Sequence, residues 1–100
     1  MTIELLRSRP EIAALCRRFR VRRLDLFGSA ATGQAREDSD LDFLVEFEPM
    51  IEGYADAYFG LLEALQGLFG KPVDLVVISA IRNPYFRRSI EDSRELLYAA

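Results

Sequence analysis

The sequence predicts an α/β domain in which a small mixed β-sheet is flanked by helices. Three observations carry this reading. Apolar runs of strand length occur at Val21 to Phe27, Leu41 to Phe47 and Val73 to Ile78. Segments with apolar residues at helical spacing alternate with them. The chain has 100 residues, half of them hydrophobic, which suits one modest core, so residues 1–100 are expected to form a single domain.

In chain order, Thr2 to Arg18 reads as a helix because Ile12, Leu15, Cys16 and Phe19 recur at helical spacing. Pro10 either starts this helix at its first turn or kinks a longer one. The basic run Arg17, Arg18, Arg20, Arg22 and Arg23 then crosses from helix end to strand start. It reads as cations at a helix C-terminus followed by solvated strand residues, or as a docking face for an acidic partner or an RNA. The first strand, Val21 to Phe27, leads into Gly28, and the short connection to Leu41 to Phe47 makes the two strands neighbours. Glu48-Pro49-Met50 ends the second strand. Tyr58, Leu61, Leu62, Leu65, Leu68 and Phe69 mark a helix over Tyr54 to Phe69, with Gly70 as its stop and Pro72 beyond.

Val73 to Ile78 is apolar apart from Asp74 and reads as a buried strand. An acid there needs a partner, either a metal ion or an arginine from the basic run. After Ser79 comes a last helix, with Asn83 as N-cap, Pro84 at its first position and Phe86, Ile90 and Leu97 facing the core or a partner. Its Arg87, Arg88 and Arg94 are expected to pair with Glu91, Asp92 and Glu95.

The chemistry concentrates between Leu26 and Asp42. Gly28-Ser29 is followed by ten residues and then by Asp40-Leu41-Asp42, with a further glycine at Gly33. Gly28 permits a sharp turn at the strand end, and Ser29 to Gly33 open a short helix or nest whose N–H groups and hydroxyl suit an anion such as phosphate. Asp40 and Asp42, two apart on a strand, project from one face while Leu41, Phe43, Val45 and Phe47 fill the other. Adjacent carboxylates repel unless a cation lies between them, and a hard divalent ion, Mg²⁺ above all, fits oxygen ligands. A phosphate cradle beside a carboxylate platform points to metal-assisted chemistry on a nucleoside triphosphate. The bland alternative is two strands joined by a polar turn with solvated acids.

Gly28, Ser29, Asp40 and Asp42 match the signature of the polymerase-beta-like nucleotidyltransferase superfamily. The runs Leu26 to Gly33 and Ser39 to Val45 resemble its minimal branch, the MNT proteins, over nearly the whole chain. The resemblance implies that two Mg²⁺ ions are held by Asp40, Asp42 and a third acid on the next strand, which Asp74 matches by context. It implies that Gly28 and Ser29 hold the β and γ phosphates of ATP, and that Asp74 is a candidate for the proton acceptor. It further implies an antitoxin that transfers AMP to a tyrosine hydroxyl of a HEPN-type toxin, with release of pyrophosphate. A binding-only antitoxin, or a nucleotidyltransferase acting on a small molecule or an RNA end, remains open at this stage.

Composition narrows the setting. There is no histidine, so His-based catalysis and His-containing metal sites are excluded. The formal net charge of −3 argues against nucleic acid as a direct partner of the whole surface. Cys16 is the sole cysteine, so no intramolecular disulfide forms; it is expected to pack inertly, and a cytoplasmic setting is expected. No hydrophobic run reaches membrane-spanning length and no signal-peptide pattern opens the chain, so no membrane association is expected.

Overall fold

The computed structural model describes residues 9–31 and 40–100, apart from the side chains of residues 29 and 30. Helix α1 (Pro10–Arg18) begins with Pro10 in its first turn, where a missing N–H costs nothing. Residues 2–8 of the expected helix lie outside the described residues. Glu11 in the first turn and Arg17 and Arg18 in the last complement the helix dipole. Ile12 and Cys16 enter the core, as their spacing predicts. Arg20, at φ 61, then turns the chain into β1 (Val21–Phe27), and its carbonyl accepts the Glu48 N–H at 2.9 Å.

Among the described residues four strands form one sheet: β1, β2 (Leu41–Phe47), β3 (Val73–Val77) and β4 (Glu95–Ala99), in spatial order β3-β2-β1-β4. Strand β1 is antiparallel to both β2 and β4, whereas β2 and β3 run parallel and are linked by helix α3 (Tyr54–Phe69). The sheet is therefore mixed, as expected. A four-residue helix α2 (Gly28–Ala31) follows β1, and helix α4 (Pro84–Ser93) precedes β4.

The period of two in the strands sorts the sheet into two faces. Leu41, Phe43, Val45 and Phe47 of β2 join Leu24, Leu26 and Leu75 against Ile12, Cys16, Leu61 and Leu65 in the main core. Each such fully buried side chain contributes roughly 1.5–3 kcal/mol relative to exposure. Gly70 caps α3 in the left-handed conformation at φ 63, and its N–H reaches the Gln66 carbonyl at 2.8 Å, the stop predicted from sequence. On the other face a smaller cluster joins Phe27, Leu44 and Ile90, with Val76, Ile78 and Ile81 against it. Asp42 alternates with Leu41 and Phe43 and so belongs to this second face.

Three expectations need correction. Among the described residues strand β3 lies at the sheet edge, with β2 alone pairing with it; Asp74 is exposed and has no need of a buried partner. The arginine pairing expected there as one alternative occurs instead at Asp25, which is fully buried on β1. The last helix stops at Ser93, and Glu95–Ala99 is a strand, so Leu97 is buried from β4 and not from a helix face. Arg94, at the helix end, pairs with Asp25, while Arg87 and Arg88 make no ion pair among the described residues. The N-cap is as expected: the Asn83 side-chain oxygen accepts the N–H of Tyr85 at 2.9 Å and of Phe86 at 3.3 Å.

Burial pushes the Cys16 thiol up to about 12 despite the nearby Arg17 charge, in keeping with inert packing. Tyr58 on α3 donates its hydroxyl to the Leu75 carbonyl of the edge strand at 2.6 Å. No helix among the described residues is long and apolar enough to cross a membrane.

Candidate active site

The site grows from the register of three strands. Phe27, the last residue of β1, stands opposite Asp42, and Asp42 stands level with Asp74 on the parallel neighbour β3. Parallel neighbours are about 4.8 Å apart, so side chains at level positions share one face. Asp42 and Asp74 are thus brought side by side. Asp40 lies just ahead of β2, exposed, and the adjoining Leu41 N–H bonds to the Pro72 carbonyl at 3.1 Å, which ties the entry of β2 to that of β3.

The electrostatics agree with this placement. Burial raises the Asp42 carboxyl above its usual range, and the charges of Asp74 and then Asp40 raise it further. Both other acids are therefore near enough to be felt at Asp42. The Tyr58 hydroxyl is likewise raised, first by burial and then by Asp74 and Tyr54. Among the described residues no three acidic or cysteine side chains already converge on one point at coordination distance. The donor set is nonetheless the one a hard cation prefers, oxygen ligands of like charge whose mutual repulsion a cation would relieve.

Gly28 closes the site from the β1 side. Its φ is +72, and a Cβ built there would lie 2.6 Å from Oδ2 of Asp42. The turn favours glycine, and a Cβ here would crowd the carboxylate. The Gly28 N–H donates to Oγ of Ser93, at the end of α4, at 3.4 Å. That N–H therefore faces α4, and the contribution of Gly28 at this point is space. The Ser29 side chain and Gly33 lie outside the described residues.

The family model for the nucleotidyltransferase domain matches residues 12–97. The chain belongs to this family. It is 39% identical over 83 residues to the protein adenylyltransferase MntA of Thermococcus cleftensis, covering 81% of this chain and 77% of that one. It is 40% identical to a solved structure provisionally designated a minimal nucleotidyltransferase, with a TM-score of 0.75 and 95% of each chain covered. The MNT antitoxin in a solved complex with a tri-AMPylated HEPN toxin of Shewanella oneidensis shares the fold, at 19% identity and a TM-score of 0.65, over 99% of this chain and 74% of that one.

Other concavities are present among the described residues. One of about 420 Å³, lined by Arg22, Glu46, Phe47, Met50 and Tyr54, sits at the far end of β2 from Asp42. Its two acids, Glu46 and Glu48, lie beside Arg22, and Glu46 is ion-paired to Arg22 at 3.7 Å. Sequence reasoning missed Asp25, Ser93 and Arg94. Asp25 interrupts an apolar run, Leu24-Asp25-Leu26, and that signal equals the one that singles out Asp74. Its partner Arg94 is 69 positions away, and nothing local announces the pair.

Proposed function

We propose that this protein is an antitoxin that transfers AMP from ATP to a tyrosine hydroxyl of a HEPN-type toxin. The observation that supports this most directly is the level pairing of Asp42 and Asp74 on adjacent parallel strands, with the Asp42 carboxyl raised by burial and by its acidic neighbours. Family membership and the adenylyltransferase relative support the same reaction class.

In this reading Asp40, Asp42 and Asp74 hold Mg²⁺, two ions in all, and Gly28 and Ser29 border the triphosphate. Magnesium bound there supplies neutralisation of phosphate charge and eases ionisation of the acceptor hydroxyl. The residues of the chain do the rest. Asp42 projects from a strand clamped between β1 and β3, so its backbone is fixed before substrate arrives. Gly28 leaves clearance beside Oδ2 of Asp42. The tyrosine oxygen bonds to the α-phosphorus as the bond to the bridging oxygen breaks, pyrophosphate leaves, and the hydroxyl proton passes to Asp74 or to water. The reaction belongs in the cytoplasm, where ATP is available.

Intact-mass spectrometry of a co-expressed HEPN partner tests the proposal. A gain of one or more AMP masses on the partner, absent with Asp42→Asn, is the expected result. A stable complex that silences the partner with no added mass would replace transfer by simple binding.

A further inference from the structure

Helix α4 is almost wholly exposed, yet its C-terminal end is fixed to the sheet by three successive contacts. Ile90 is buried against Phe27 and Leu44. Ser93 accepts the Gly28 N–H at 3.4 Å while donating to the Ser89 carbonyl at 3.2 Å. Arg94 closes the helix with its N–H on the Ile90 carbonyl at 2.8 Å and places its guanidinium on the Asp25 carboxylate, Nε to Oδ2 at 2.6 Å with Nη2 on the same oxygen. Arg23 holds the other oxygen of Asp25 from the strand itself, at 3.1 Å.

A carboxylate that is 0% exposed is a costly way to hold a helix, because desolvation offsets much of the attraction. What such a pair does supply is a single geometry. Its guanidinium is forked and directional, so it ties the end of α4, next to Ser93, to β1. Ser93 in turn meets the one backbone position where a shift would change the clearance at Asp42. Gly28 has no Cβ and Oδ2 of Asp42 lies where one would be, so a shift of the residue-28 backbone changes the room left to the carboxylate.

We infer that Ser93 is a positioning residue for the nucleotide site. Its hydroxyl, held by the Arg94–Asp25 pair, sets the Gly28 turn against Asp42 and thereby the seat of the triphosphate. This rests on the assignment of that turn to ATP made above. Neither Ser93 nor Arg94 touches substrate in this scheme; both act through Gly28.

The test compares wild type, Ser93→Ala and Ser93→Thr in the intact toxin–antitoxin complex. The readouts are kcat and KM for Mg-ATP, thermal unfolding, and exchange of the Gly28 amide by NMR. Loss of one neutral hydrogen bond predicts a rise of about two- to tenfold in KM for Ser93→Ala. Faster Gly28 exchange, little change in kcat or melting temperature, and recovery in Ser93→Thr are expected with it. A merely structural role would lower the melting temperature and leave KM alone. Unchanged KM and Gly28 exchange in Ser93→Ala overturn the inference while the proposed reaction stands. Wild type that neither binds nor turns over Mg-ATP overturns the proposed reaction, and this inference with it.

Discussion

Replacing Gly28 by alanine separates two effects that the structure places at one residue. The first is conformational: at φ +72 an L-side chain is strained by about 1–2 kcal/mol. For a domain of this size that lowers the melting temperature by about 5–15 °C. The second is steric. The new Cβ would lie 2.6 Å from Oδ2 of Asp42, so the carboxylate must retreat by roughly 0.8 Å to reach an ordinary contact of 3.4 Å. A carboxylate tip can retreat cheaply, so little further stability is lost. If Asp42 is catalytic, as proposed, its displacement by nearly 1 Å costs about 10²-fold in rate. The assay is transfer of labelled AMP to the toxin, measured beside thermal unfolding and at a temperature where both proteins are folded. An alanine variant with the expected fall in stability but wild-type turnover would refute the assignment of Gly28 as the residue that makes room for Asp42.

Other perturbations follow from the same contacts. Asp42 has a raised carboxyl pKa in the folded state, so its contribution to stability is greatest below the unfolded value and is lost as pH rises through the folded one. Asp42→Asn should therefore melt no lower than wild type at pH 7 in EDTA, and added Mg²⁺ should raise only the wild-type melting temperature; a clearly less stable variant in EDTA contradicts this. Arg94→Met leaves the buried Asp25 with Arg23 as its charged partner among the described residues and should cost about 2–4 kcal/mol in urea unfolding, somewhat less than a fully orphaned charge. Adding Asp25→Leu should recover most of it, and a single variant within about 0.5 kcal/mol of wild type would count against the pair. The Cys16 thiol, pushed up to about 12, should not react with Ellman's reagent at pH 8 until the protein unfolds, and its protonated form adds stability that fades above the usual thiol value as pH rises.

The parts of the fold that were legible in the sequence are those decided locally. Alternation along Leu41 to Phe47 assigns four residues to the core and leaves Asp42 on the other face, as found. Asn83 with Pro84, and Phe69 followed by Gly70, carry their own cap chemistry. The misreadings concern partners distant in the chain. An apolar run such as Val73-Asp74-Leu75-Val76-Val77 looks the same at a sheet edge as at its centre, since the alternation records faces and not neighbours. Glu95-Leu96-Leu97-Tyr98-Ala99 contains good helix formers, and only pairing with β1 makes it a strand. At the site, the acids and the glycine stand out because their types are rare among apolar neighbours. The clamp behind them is hidden, because Asp25, Ser93 and Arg94 acquire meaning only when α4 returns to the end of β1.

The Tyr58 bond to Leu75 bears on how this sheet behaves in company. Strand β3 is a sheet edge among the described residues, and an edge with vacant backbone groups is a template on which another chain can add a strand. A phenol at 2.6 Å occupies an acceptor in the middle of that edge. An incoming strand would have to evict it before its ladder could run the length of β3. The acid beside it, Asp74, adds charge where a flat apolar edge would be most adhesive. The same short segment that offers a carboxylate to the site is thus protected against self-association, and Tyr58→Phe should show its deficit first as aggregation at high concentration, before any loss of transfer.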